Sequence, residues 1–191
     1  MEKVSTKSRT EENKLDLQLI QNKNGNLQSI LQSIKAVLSK PSDIYKLFFL
    51  FTKKLNKFFP VSQSSLILYS EQESKLKVIA MKGDKGARKG LKLTLPKEKS
   101  LLYRVFTENR FYIQHHPQKC DCNFIENKIF KDDTAQSLAI LPINQNGAGY
   151  GLICLSSPDQ NAFISFENGL MDEILEDFSK NLIKRIPTIK I

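Results

Sequence analysis

The 191-residue chain has no tryptophan, two histidines and three cysteines, and each scarcity excludes something. With twelve phenylalanines and no Trp, the aromatic core has to be built from Phe. Three cysteines (Cys120, Cys122, Cys154) are too few for the disulfide framework of a small secreted scaffold. Cys154, inside the apolar run 150–155, reads as a small buried hydrophobe. The only two histidines, His115 and His116, are adjacent, and no Ser-His-Asp set can be assigned. No apolar run approaches the roughly 20 residues of a membrane-spanning helix. The densest, 47–51, is followed by Lys53, Lys54 and Lys57. Residues 1–14 are polar and charged with no apolar h-region, so no signal peptide is expected and the chain reads as cytoplasmic. Gly83, Gly86 and Gly90 resemble a phosphate loop in composition, but the Walker spacing is absent.

What is present is ordinary for a globular protein: 40% hydrophobic and 26% charged residues. The length suits one domain with a substantial core and a helical extension. The formal charge of +9 is unevenly distributed. Residues 1–60 hold 11 Lys/Arg against 5 Asp/Glu, residues 61–119 hold 12 against 5, and residues 120–191 reverse the sign with 6 against 10. The densest basic cluster is Lys82, Lys85, Arg88, Lys89 and Lys92. No helix-turn-helix, zinc-finger or aromatic-plus-basic RNA-binding signature accompanies it, which argues against nucleic acid and for a solvated basic surface.

Residues 1–26 are too polar to bury a face and form a flexible N-terminal segment in this reading. Leu27, Ile30, Leu31, Ile34, Val37 and Leu38 then recur at helical spacing, predicting an amphipathic helix over 27–40 that Pro41 ends. Ser42 offers an N-cap for a helix over 43–59, which Pro60 stops. It carries Ile44, Leu47, Phe48, Phe51, Leu55 and Phe58 on one face. Residues 64–70 and 75–81 read as a hairpin, 83–90 as a flexible basic loop, and 91–95 as a half-buried strand closed by Pro96. A short helix with Leu101, Leu102, Val105 and Phe106 on its apolar face precedes a strand at 111–113. Residues 114–134 are irregular, with a helical turn around 124–130. Strands 137–143 and 150–156 flank the turn Asn144-Gln145-Asn146-Gly147-Ala148-Gly149. A final helix starts at Ser165, with Leu170, Ile174, Phe178 and Leu182 as one stripe and acidic residues ahead of basic ones, as the helix dipole favours. Residues 187–191 form a C-terminal tail.

Over residues 41–186 this order resembles a GAF domain. The likeness rests on Leu91-Lys-Leu-Thr-Leu-Pro96 with Leu101-Leu-Tyr-Arg-Val-Phe-Thr-Glu-Asn-Arg-Phe-Tyr-Ile113, on Ser137-Leu-Ala-Ile-Leu-Pro-Ile143 with Gly149-Tyr-Gly-Leu-Ile-Cys-Leu-Ser156, and on Phe163-Ile-Ser-Phe-Glu167. The resemblance implies an α+β fold: a central antiparallel sheet of about six strands, first and last helices on one face, and a pocket on the other. It also implies a sensor or regulatory role without enzymatic activity, a homodimer formed through flanking helices at 27–38 and 170–186, and a separate output protein. The chain departs from the family where Lys97-Glu98-Lys99-Ser100 stands in place of a Gly-rich turn.

Ligand would sit between the sheet and residues 101–134, where Tyr103, Tyr112, His115, His116, Phe124 and Phe130 are the candidate contacts. A ligandless scaffold for protein contacts is the competing form of this reading. His115, His116, Cys120 and Cys122 supply the ligand types zinc prefers, or a thiol switch, but adjacent His and Cys-x-Cys spacing suits zinc poorly. Asn127-Lys128-Ile-Phe130-Lys-Asp132-Asp133 resembles a cyclic-nucleotide GAF signature, yet its spacing and its place before the central strand differ. It reads as a helix flanked by solvated charge. Some small GAF proteins reduce free methionine sulfoxide, and three cysteines in the second half make a thiol reductase the enzymatic alternative. Its surrounding motifs are not recognisable here. No cofactor is required by the sequence.

Overall fold

A computed structural model of the chain describes residues 29, 32–36, 38, 43–115, 122–130, 134–164, 166 and 170–186. Two compact units divide it, Met1–Ser33 and Ile34–Ile191. In the first, Ser29, Gln32 and Ser33 are helical. The second unit carries the sheet.

Helix α1, Ile44–Leu55, begins at Asp43, whose side chain accepts from the Lys46 amide at 2.8 Å. Asp43 is therefore the cap in place of the expected Ser42, which lies outside the described residues. Its carboxylate satisfies an amide that the first helical turn leaves open. The helix closes at Asn56, short of the expected residue 59. Ile44, Leu47, Phe48, Phe51 and Leu55 are all buried, as their spacing predicts.

Six antiparallel strands follow: β1 Gln63–Ser70, β2 Lys75–Gly83, β3 Gly86–Thr94, β4 Tyr112–His115, β5 Ser137–Gln145 and β6 Ala148–Ser157. Their order is β3-β2-β1-β6-β5-β4, with β1 and β6 joining two meanders at the centre. The β5–β6 turn is only Asn146 and Gly147, both at positive φ (53° and 80°), the geometry that tightens a hairpin.

The expected basic loop at 83–90 is a correction. Gly83 pairs with Gly86 across a two-residue turn, and Ala87, Arg88 and Lys89 pair with Lys82, Met81 and Ala80. The register shifts between Val78 and Ala80, opposite Gly90 at φ 70°. Ladder hydrogen bonds outweigh the weak strand propensity of Lys and Arg here, and exposed charge suits an edge strand.

Helix α2, Leu101–Glu108, is capped by the Ser100 hydroxyl, which accepts from the Tyr103 amide at 3.0 Å. It ends on Asn109 in the left-handed region (φ 53°). Helix α3 spans Phe124–Phe130 and α4 spans Leu170–Ile183. Ser165, the expected cap of the last helix, and Glu167 lie outside the described residues.

The two sheet faces are covered differently. On one, α1 and α4 pack together through Phe51 and Phe178, whose rings are 4.4 Å apart, and α4 lies against β5. Ile34 and Leu38 are fully buried, and Lys35 pairs with Glu173 and, at 3.6 Å, with Asp177 of α4. On the other face, Leu101, Leu102 and Val105 of α2 and Ile129 and Phe130 of α3 join Ile67, Leu76, Val78, Leu138, Ile140, Leu152 and Cys154 in one buried cluster. The arrangement is the α+β architecture expected from the sequence.

Candidate functional site

A single carboxylate ties α3 to the start of α2. Glu126, fully buried, accepts from the Leu101 and Leu102 amides at 3.0 Å each, from the Asn123 amide at 3.3 Å, and from the Ser100 hydroxyl. Leu101 and Leu102 open α2, so their amides have no partner within the helix, and the negative charge also meets the positive end of its dipole. Asn123 caps α3, its side-chain oxygen accepting from the Ile125 and Glu126 amides at 3.1 and 3.0 Å. One short helix is thereby clasped to the start of another.

The middle of this face is filled by the cluster just described. Open space lies at its margin, where α3 meets the β2–β3 hairpin. There a groove of about 440 Å³ is lined by Gln63, Met81–Gly86, Arg88, Lys128 and Thr134. The Gln63 side-chain amide donates to the Ile129 carbonyl and ties the end of α3 to β1. A smaller cavity of about 130 Å³ shares Lys82, Gly83 and Asp84 with the groove. Burial holds the Lys82 amine below its ordinary range, and repulsion from Lys53 pushes the same way. Among the described residues none of Lys82, Lys85, Arg88 and Lys128 forms an ion pair.

The residues singled out from the sequence are dispersed. Tyr103 packs against the buried cluster, and its hydroxyl accepts from the Leu76 amide at 2.7 Å. Burial raises that hydroxyl's pKa, and the hydrogen bond offsets part of the rise. Phe130 is buried in the cluster. The Tyr112 hydroxyl donates to Gln114 at 3.0 Å on edge strand β4. Phe124 is 72% exposed, with the Lys128 amine 4.5 Å from its ring centroid. The His115 imidazole uses Nδ1 to reach the Gln160 carbonyl at 2.7 Å, which places the proton on Nδ1. His116 and Cys120 lie outside the described residues. Cys122 is disulfide-bonded, and Cys154 is a buried free thiol. Burial, with the Glu126 charge adding to it, raises the Cys154 thiol well above 9.0, so it is a poor nucleophile. Among the described residues no group of three His, Cys, Asp or Glu could hold a metal ion.

Sequence reasoning missed two features. Glu126 is not singled out by the sequence, because nothing local marks a carboxylate that a distant helix start will cover. The Lys82–Arg88 cluster was visible as charge but not as the wall of a groove, because Lys128 joins it only through the fold.

No family model and no curated protein matches the chain. Solved structures do. The GAF domain of a phosphoenolpyruvate-protein phosphotransferase from Coxiella burnetii superposes with a TM-score of 0.69 at 14% identity, over 85% of this chain and 96% of that one. The GAF domain of a two-component sensor histidine kinase from Bacillus halodurans gives 0.53 at 18% identity, over 70% and 91%. A free methionine-R-sulfoxide reductase from Neisseria meningitidis, solved with its substrate, gives 0.67 at 12% identity, over 85% and 92%. Likeness at these identities concerns the fold, and the fold is GAF-like. Among the described residues no helix is long and apolar enough to cross a membrane.

Proposed function

We propose that this chain is a GAF-type regulatory domain without catalytic activity of its own. A small molecule or protein partner engages the segment 101–134, and the helices on the opposite sheet face carry the response to a separate output protein. The observation that supports this reading is the Glu126 clasp. It joins α3, which supplies Lys128 to one wall of the groove, to the start of α2, so a shift of α3 is passed to α2. A ligand acts here only by binding one arrangement of that segment better than another.

Self-association belongs to the same proposal. The apolar stripe of α4 is already buried within the chain at Met171, Ile174, Leu175, Phe178 and Leu182. A homodimer built on α4 would therefore use its polar outer face, with Asp172, Glu173, Glu176 and Lys180. Native mass spectrometry of protein purified without chelator or reductant tests both parts. A dimer, or a co-purified organic mass, supports the reading. A monomer carrying no bound mass, whose α1 and α4 amides exchange alike with and without added partners, sinks it.

A second reading draws on the disulfide at Cys122. It makes the Cys-x-Cys segment a redox sensor, or a reductase like the methionine sulfoxide enzymes of the same fold. Under it, reduction changes the exchange of α3 amides, and Cys122→Ser abolishes that change. Turnover of free methionine-R-sulfoxide above a Cys122→Ser control would move the chain into the enzymatic class.

A further inference from the structure

We propose that the groove between the β2–β3 hairpin and α3 is a binding site for a phosphate-bearing small molecule, held by Lys82, Lys85, Arg88 and Lys128. The inference names the input of the regulatory domain proposed above and rests on that reading.

Four cations line one concave space against a single carboxylate, Asp84. Cations in one cavity repel, and among the described residues none of these four has a carboxylate within ion-pair distance. Lys82 is half-buried at this wall, and burial first, then Lys53 outside the groove, disfavour its charged form. An anion bound beside this amine would offset that cost with an opposite charge. The cations come from two independent elements: three from the hairpin, and Lys128 from α3, where the Phe124 ring steadies its amine. The volume of about 440 Å³ falls in the range of pockets for small ligands, about 300–1,000 Å³. A concave site of this size fits a nucleotide or a short polyphosphate. A nucleic-acid duplex would instead need cations spread along a face. Because Lys128 belongs to α3, which Glu126 clasps to α2, anion binding would pull on the same element that moves α2.

Isothermal titration of the full chain with inorganic pyrophosphate and with ATP, at matched ionic strength, tests the site. Both should bind the wild-type protein. Tighter binding of ATP would identify a nucleotide as the source of the phosphate, and equal binding a free polyphosphate. Replacing two charge-assisted contacts in Lys82→Gln/Arg88→Gln should weaken binding about ten- to a hundredfold. Lys89→Gln removes one charge from the same strand outside the groove and should change it less than about twofold. Melting curves establish that each variant folds, and Lys128→Gln, on the other wall, provides a second reading of the same loss. Equal weakening in Lys89→Gln would overturn the site, as would failure of both probes to bind. So would binding of a DNA duplex that neither probe displaces. Binding with unchanged amide exchange in α1 and α4 would keep the site and remove the regulatory reading.

Discussion

Glu126 gathers four hydrogen bonds at the junction of α2 and α3 on one side chain, and two of the donors have no alternative in their own helix. Glu126→Gln keeps the shape but turns one acceptor oxygen into an NH₂ that faces backbone amides. Leaving such a buried amide unsatisfied costs about 1–3 kcal/mol. A lowered midpoint in denaturant should report it, whereas Glu108→Gln on the exposed end of α2 should leave the midpoint unchanged. Cys154 makes a prediction in pH. Its folded thiol ionises later than the unfolded one, so above 9.0 the unfolded chain holds fewer protons. The thiol's contribution to stability is complete below that pH and declines as pH rises through the alkaline range. Melting temperatures of Cys154→Ala across alkaline pH should fall less steeply than those of the wild type. Ellman's reagent should reach Cys154 only in denaturant.

Among the elements, β6 tolerates least. It pairs on both sides, and a Cβ built on Gly151 would stand 2.1 Å from the Ile67 carbonyl oxygen and 3.0 Å from the Leu68 Cα. Both obstacles are backbone, so neither can swing away as a side chain could. Gly151→Ala should cost about 1–3 kcal/mol or more through forced separation of β1 and β6, measured by chemical denaturation. Helix α1 depends on its cap in the ordinary way. Asp43→Ala should cost about 1 kcal/mol, and Asp43→Asn much less, because an amide oxygen can still accept from the Lys46 amide. Strand β3 illustrates the opposite regime. Its exposed cations gain little from burial, and its place depends on the ladder to β2.

For the molecule as a whole, the division at residue 34 leads to a truncation test. Residues 34–191 contain all six strands and the helices of both faces, and Ile34 and Leu38 complete the core. A chain beginning at Ile34 should unfold cooperatively near the midpoint of the full protein. One beginning at Asp43 loses two fully buried aliphatic side chains, each contributing about 1.5–3 kcal/mol, and should melt at a clearly lower temperature. Equal midpoints for the two truncations would show that Ile34 and Leu38 add nothing to the core.

Local rules carried the reading of this chain a long way. Continuous apolar runs identified the central strands, 3.6-residue spacing identified the buried faces of α1 and α2, and Asn146-Gly147 announced its own turn. These depend on neighbours a few residues apart, so the sequence determines them by itself. It also determined the order of elements from which a GAF-like fold follows. Capping went to Asp43, one residue from the expected Ser42, because two adjacent side chains offer similar chemistry and only backbone geometry chooses between them. The candidate site was less legible. Tyr103, Phe130 and Tyr112 have the right composition for a ligand contact, yet the first two are taken up by packing and the third lies on an edge strand. A cavity is the space that distant elements leave unfilled, and its charge is the sum over walls that meet only on folding. Tertiary structure therefore decided that Glu126 is a buried clasp, that the middle of the face is closed, and that Lys128 stands across a groove from Lys82 and Arg88.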